Sequence, residues 1–591
     1  MKRVEFYDLT VTDGFWLEQQ KKVLDKTVWA VYNRFEETGR IATMDCKDHG
    51  IDPHFFWGSD VVKWMEGAAY ILKQHKDEKL WALVDSLIKA IELGCLDDGY
   101  YNSYYNSPRI NGERFSNREC HELYSLGHMM EAAVALHSIG DDRLMSVCEK
   151  NARLVKKIFC EDGSAAFITP GHQEIELALY RMYETTGDKL YLELAEFFVD
   201  NRGTNEKDRP IEKFPKEYAQ DHLPASEQTT AEGHAVRALY FYCAMADLAE
   251  ELDNASLRSA VRTLFDDIYE KKMYVTGGVG SNYRGERFTI PYHLPNREAY
   301  TETCAALSLA LFASRLYRVE PDGRYGDAAE RAIYNGMISG LSLDGEAFFY
   351  TNPLEIDTGR VRIQQGYNPQ TVRQKVFDCS CCPPNLVRMI PSIAGLAYSY
   401  NDEYLFVHQY IATEGTIDGN PVKMATKYPL NGKVHIEYSG KKLALRKPAW
   451  CDEINCDTPY CEKKGYLYFD TDSVDIEFVV KPVFCTASHN VHEDCGRVAL
   501  MYGPIVYCIE SKDQEAEVFR CRVDADKAVT VTEEYYGGYP MLEADGVIIP
   551  QQEGLYARYV STTCQPTKLR FIPYYTFANR GADDMQVWVL R

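Results

Sequence analysis

One pattern restricts the fold of this chain more than any other. Between about residue 13 and residue 400, apolar-periodic runs of helical length come in pairs. The connectors between paired runs share a signature: Asp77, Gly140-Asp141-Asp142, Gly187-Asp188, Asp253-Asn254 and Asp322-Gly323. The unit recurs roughly every fifty to seventy residues, the mark of stacked helical hairpins. Close to a dozen helices are predicted, enough for six hairpins, which can close into an (α/α)6 barrel or stack as an open solenoid. Closure is favoured because residues 235–248 and 305–316 are apolar on more than one side, as inner helices buried all round must be.

The starts of the inner runs carry a second regularity. Cys120-His121-Glu122, Gly171-His172-Gln173-Glu174, Glu232-Gly233-His234 and Thr301-Glu302-Thr303-Cys304 put titratable groups at or near predicted helix N-termini. Parallel inner helices would bring these ends to one mouth, where unsatisfied N–H groups and positive dipole ends face outward. Any one of them reads as a cap or a satisfied core histidine. Four at equivalent positions read as a shared pocket.

Past residue 400 the period changes from helical to two. Val434, Ile436 and Tyr438 alternate, as do Val474, Ile476, Phe478 and Val480, with turns at Asp418-Gly419-Asn420 and Asn431-Gly432. Short strands at such spacing describe a β-sandwich. Residues 3–11 also alternate and read as a strand, so the expected division is an N-terminal strand joining the sandwich (1–12), a barrel (13–400) and a β-sandwich region of one or two subdomains (401–591). At 591 residues the chain exceeds a single ordinary core.

A net charge of -23 opposes binding to nucleic acid or to anionic membranes. The N-terminal residues lack an apolar signal region, and the 18 cysteines then suit a reducing compartment, so a cytoplasmic protein is expected.

The chemistry concentrates in residues 377–385. Cys379, Cys381 and Cys382 precede Pro383 and Pro384. Adjacent cysteines do not readily bridge each other, whereas two thiolates side by side can share a metal ion on the stiff turn that the prolines make. An inert buried cysteine cluster is the other reading. Glu302 and Cys304 are the best further ligands, because a Glu-x-Cys step at a helix entrance presents both donors together. Three thiolates and a carboxylate would satisfy tetrahedral zinc. Gly277-Gly278-Val279-Gly280 lacks the Lys-Ser/Thr of a phosphate loop and reads as a flexible loop at the mouth, leading to Glu286 on irregular chain.

Taken together, Gly285-Glu286 with Phe288, Leu294-Pro295-Asn296, Glu302-Thr303-Cys304-Ala305, Glu330-Arg331-Ala332 with Tyr334-Asn335, and Cys381-Cys382-Pro383-Pro384-Asn385 resemble glycoside hydrolase family 127, the zinc-dependent β-L-arabinofuranosidases. Gly503-Pro504-Ile505-Val506-Tyr507 extends the likeness into the β region. The resemblance implies a retaining exo-glycosidase acting on a small oligosaccharide or glycoside, with Cys381 as nucleophile and Glu286 as acid/base. It further implies Glu302, Cys304, Cys381 and Cys382 as Zn2+ ligands, and His121, His172, His234, Glu330 and Tyr350 as sugar contacts. It points to a homodimer and leaves Cys379 without a role. The rival readings are the same scaffold acting on another plant-glycan sugar, such as a branched acidic pectin sugar, and a non-catalytic sugar-binding protein with structural zinc. An isomerase or epimerase on the same barrel is weaker, since that chemistry has no need of paired cysteines.

Overall fold

The structure is a computed structural model that describes residues 1–211, 214–360, 370–556, 558 and 563–591. Helix α1 (Gly14–Lys22) runs through a π-helical turn at Val23–Thr27 into α2 (Val28–Glu37), so the long first helix expected at 16–37 is one rod with a widened turn. Five hairpins follow. They pair α3 (Trp57–Gln74) with α4 (Glu78–Gly94), α5 (Glu122–His137) with α6 (Arg143–Val155), and α7 (Ile175–Thr186) with α8 (Lys189–Asn201). The last two pair α9 (Ala235–Glu251) with α10 (Ala255–Lys271), and α11 (Thr303–Val319) with α12 (Gly323–Arg331). A short helix, α13 (Cys382–Met389), comes last.

The connectors recur for a local reason. Asp77 caps α4 by accepting from the N–H groups of Lys79 and Leu80. Asp188, Asn254 and Asp322 do the same for α8, α10 and α12. Each cap satisfies donors that a helix start otherwise leaves open, a contribution of about 1 kcal/mol.

Burial separates the helices into two classes. Every residue of α9 from Ala235 to Ala249 is buried, and so is every residue of α3 from Gly58 to Ile71. In α6 the buried positions are Leu144, Val147, Cys148, Asn151, Ala152 and Val155, the one-sided stripe of an outer helix. The inner helices pack in a cycle: α3 on α5, α5 on α7, α7 on α9, α9 on α11, α11 on α13, and α13 back on α3. The last contact is close because Gly67 of α3 has no side chain; a Cβ there would lie 2.6 Å from the Val387 carbonyl group.

Among the described residues the β region holds three sheets. One runs Lys2–Arg3, Tyr398–Tyr400, Tyr404–Val407, Lys442–Arg446, Tyr466–Phe469, Tyr460–Lys463. Another runs Ile454–Asn455, Ser473–Phe478, Lys433–Tyr438, Asn420–Thr426, Thr413–Ile417, Leu9–Val11. The N-terminal segment therefore contributes an edge strand to each of these two. The third, ten-stranded sheet contains Arg497–Tyr502 and Ile505–Glu510, joined by a tight turn with Tyr502 opposite Ile505. It also takes Glu355–Ile356 from the helical part, paired with Met585–Gln586. Asn335 ties the two parts further, donating to the Pro504 carbonyl and accepting from the Val506 N–H. Among the described residues no helix is long and apolar enough to cross a membrane.

Candidate active site

Cys381 is the cap residue of α13, with Cys382 and the two prolines in its first turn, and Glu302 is the cap residue of α11. The cycle brings these two starts together. Cys304 Sγ lies 3.2 Å from Cys382 Sγ and 3.5 Å from Cys381 Sγ, and the two adjacent sulfurs are 3.7 Å apart. Glu302 Oε1 is 3.4 Å from Cys381 Sγ and 3.6 Å from Cys382 Sγ. Glu302, Cys304 and Cys382 are buried; Cys381 alone of the four is partly open. The other Glu302 oxygen, Oε2, is buried without a hydrogen-bond partner. Burial, Cys381 and Glu286 push the Glu302 carboxyl well above the usual range. Burial also pushes the Cys304 thiol up, but contacts from Cys381 and Cys382 outweigh it and bring it to about 7. Acidic donors crowded out of water in this way can hold a metal ion, whose charge removes the conflict.

Strain and pairing fix the α11 start. Thr301, a β-branched residue, sits at φ +36°, a left-handed setting such residues avoid. Its N–H donates to the Gly280 carbonyl and its hydroxyl to that of Asn352. Thr303 donates its N–H to the Tyr350 carbonyl, and its hydroxyl to that of Phe349. This pairing sets Tyr350, whose hydroxyl stands 3.4 Å from Cys381 Sγ.

Glu286 (φ +50°) lies on a loop pinned to the start of α9: its carbonyl accepts from the Ala235 N–H. Its carboxylate meets His234 Nε2 at 3.2 Å, and it lies within 4.8 Å of the Glu302 carboxylate. His234 Nδ1 accepts from the Val236 and Arg237 N–H groups, which leaves the proton on Nε2, pointed at Glu286. Burial pushes the Glu286 carboxyl up, but the His234 hydrogen bond, with Tyr300 and Arg237 acting in the same sense, holds it below the usual range. His121 and His172 face the same space, with ring centroids 5.5 Å apart and His172 5.4 Å from His234. Each hands its Nδ1 proton to a backbone carbonyl, Glu119 and Gln173 respectively, so each presents Nε2 as an acceptor for a hydroxyl. Burial keeps both neutral, pushing His121 down to about 4 and His172 well below its ordinary value.

Several supporting groups escaped the reading of the sequence. Arg40, buried against Asp60 of α3, donates to the Phe377 and Asp378 carbonyls, and the Ser380 N–H donates to Asp60. This pair clamps the approach to Cys381. Lys63, fully buried in α3, donates to the Tyr124 hydroxyl at 2.6 Å. Arg237 joins Glu119 to the Gly171 carbonyl. A lysine inside an otherwise apolar run and an arginine three residues after His234 were visible signals for two of them.

Glu330 is not with the other predicted residues. Its carboxylate is held by Arg446, Tyr428 and Trp450, where α12 meets the β region, because α12 is an outer helix and turns that face away from the mouth. The segment of Gly277 to Gly280 is not an open loop either. It is buried, and a Cβ on Gly277 would lie 2.4 Å from the Ala332 nitrogen. Cys379 stays outside the four-donor cluster, its sulfur 4.0 Å from the Tyr350 hydroxyl; contact with Cys381 and burial push its thiol up.

Residues 8–395 match the family model of the β-L-arabinofuranosidase GH127 catalytic domain, and residues 482–590 match that of the glycoside hydrolase family 127 C-terminal domain. The chain is 31% identical to a non-reducing end β-L-arabinofuranosidase of Bifidobacterium longum subsp. longum, covering 99% of this chain and 100% of that protein. Its structure resembles that of a GH127 β-L-arabinofuranosidase from Geobacillus stearothermophilus T6, at 33% identity and a TM-score of 0.92, covering 99% of this chain and 100% of that one. A second GH127 β-arabinofuranosidase structure matches at 32% identity and a TM-score of 0.89, over 100% of this chain and 97% of that one.

Proposed function

The chain belongs to glycoside hydrolase family 127 and is a glycoside hydrolase, and from that premise we propose that it removes terminal β-L-arabinofuranosyl residues with retention of configuration. We read the cycle of inner helices as an (α/α)6 barrel and the two six-stranded sheets as a β-sandwich, dividing the chain at residues 12 and 400. The observation that carries the mechanism is the exposure of Cys381: of four clustered donors it is the one a substrate can reach.

Glu302, Cys304, Cys381 and Cys382 would hold Zn2+. Zinc bonds of about 2.3 Å to sulfur and about 2.0 Å to oxygen set tetrahedral edges of ~3.8 Å between sulfurs and ~3.5 Å from sulfur to oxygen. The spacings of 3.2 to 3.7 Å between sulfurs, and of 3.4 and 3.6 Å to Glu302, are close to those edges. Bound there, zinc keeps the sulfurs ionised at neutral pH.

His121 and His172 accept hydrogen bonds from hydroxyls of the sugar and hold its anomeric carbon before Cys381. The Cys381 sulfur attacks that carbon, forming a C–S bond as the glycosidic C–O bond breaks, and Glu286 gives its proton to the departing oxygen. Glu286 then takes a proton from water, which attacks the same carbon and breaks the C–S bond. Two inversions leave the configuration unchanged. His234 is the fixed partner against which Glu286 exchanges its proton.

The test is arabinose release from a β-L-arabinofuranoside by Cys381→Ser and Glu286→Gln, with zinc content and melting temperature measured on the same samples. Each variant is expected to lose turnover by 100-fold or more while remaining folded. Undiminished turnover in either sinks the mechanism. Wild-type turnover of another pentoside, such as a terminal pectin sugar, in preference to the arabinofuranoside would reassign the substrate.

A further inference from the structure

Within α13, Asn385 and Arg388 lie three residues apart on one face, and both are buried. Asn385 Nδ2 donates to Cys304 Sγ at 3.1 Å. Its Oδ1 accepts from Arg388 Nε at 2.7 Å. Arg388 also donates through Nη1 to Glu66 Oε2 of α3 (3.0 Å) and through Nη2 to the Tyr240 hydroxyl of α9 (3.0 Å). Turning the amide over would set two donors against each other at Arg388 and aim an oxygen at the sulfur, so only this orientation satisfies both partners. The register of Arg388 against Glu66 depends in turn on the close approach of α13 to α3 at Gly67.

We propose that Asn385 is a positioning residue that holds Cys304 as a fixed, non-attacking ligand of the metal, its amide aimed by Arg388 and Glu66. An N–H donor draws charge from a thiolate, which steadies it as a ligand and blunts it as a nucleophile. Cys381 has the Tyr350 hydroxyl at 3.4 Å instead and keeps a face open to the pocket. The buried amide thus divides the labour among like sulfurs: Cys304 holds and Cys381 attacks. Outer hydrogen bonds of this kind commonly change metal affinity 10- to 100-fold.

This inference rests on the reading of the cluster as a zinc centre, and the experiment separates the two. Zinc dissociation constants are measured by competition with a chromophoric chelator for full-length wild-type, Asn385→Ala, Asn385→Ser and Arg388→Lys proteins. Each is also loaded with cobalt, to read the sulfur-to-metal charge-transfer band. We expect zinc affinity to fall about 10- to 100-fold in Asn385→Ala, less in Arg388→Lys, with a shifted cobalt band in every variant. Should the alanine variant fail to fold, the serine and lysine variants decide by the same readouts. Affinity within twofold of wild type and an unmoved cobalt band in the folded variants overturn the role of Asn385 alone. A wild-type protein that binds no zinc overturns the metal reading, and this inference with it.

Discussion

Removing the His234 ring asks directly whether Glu286 is the proton donor. In the folded protein the Nε2 proton of His234 is directed at Glu286 at 3.2 Å, and this contact is the main force holding that carboxyl below its ordinary range. A hydrogen bond to a charged group is worth about 1.5–3 kcal/mol, and this one favours the carboxylate over the acid. The lower end applies, since 27% of the Glu286 side chain is open to solvent and Arg237 remains to act on it. In His234→Leu the Glu286 pKa therefore rises. The sign follows: a depressed carboxyl loses its proton early, so its use as an acid fails early, and releasing it extends the acid form to higher pH. The alkaline limb of kcat/KM is expected to move to higher pH for an arabinofuranoside with a poor leaving group. A substrate whose leaving group departs unaided should show no such shift. The absolute rate will also change when the fixed partner of Glu286 is lost, so the position of the limb carries the test. A variant that still turns over with its alkaline limb unmoved, or moved down, refutes the assignment of Glu286.

Three further outcomes follow from buried groups away from the proton transfer. Burial pushes Glu122 up to about 7, so its contribution to stability is complete below about pH 4.5 and is lost as pH rises to 7, a cost of about 3 kcal/mol; Glu122→Gln should flatten that decline, and melting curves at pH 5 and pH 8 that change in parallel with wild type would exclude it. Arg446, fully buried between Asp327 and Glu330, should cost about 3–5 kcal/mol when replaced by methionine, partly recovered by adding Asp327→Asn and Glu330→Gln; a loss below 1 kcal/mol in chemical denaturation would contradict this. Arg40→Met frees the segment before Cys381, and a displacement near 1 Å there should lower kcat about 100-fold with KM little changed; an unchanged kcat would show that the clamp has no catalytic consequence.

The sequence made some of this legible and hid the rest for identifiable reasons. The hairpin connectors could be read because Asp77, Asp188, Asn254 and Asp322 act locally, as caps for N–H groups two or three residues away. The all-round apolar runs marked the inner helices because burial on every side leaves no polar stripe. The cysteine cluster stood out through its composition, and its partners through their positions at helix starts. What could not be read are contacts made only when the cycle closes. Arg40 meets residue 378 across 338 positions of sequence, and Asn385 meets Cys304 across 81. Motif spacing carries no side-chain direction, so Glu330 was assigned to the pocket although its helix faces it toward Arg446. Glycines suggested looseness at 277–280, but there Gly277 permits contact with the Ala332 backbone that any Cβ would block.

The order in which the chain is made gives the last inner helix a special place. Helix α13 is only eight residues long, yet it carries Cys382, has Cys381 as its cap and also completes the cycle by packing on α3. A nascent chain that has formed its first five hairpins already holds His121, His172, His234, Glu286, Glu302 and Cys304, but it lacks Cys381 and Cys382, half of the four clustered donors. The strand that anchors residues 2–3 arrives later still, at Tyr398–Tyr400. The four-donor cluster is thus completed only by the segment that closes the cycle, so the site is assembled in the same step as the ring.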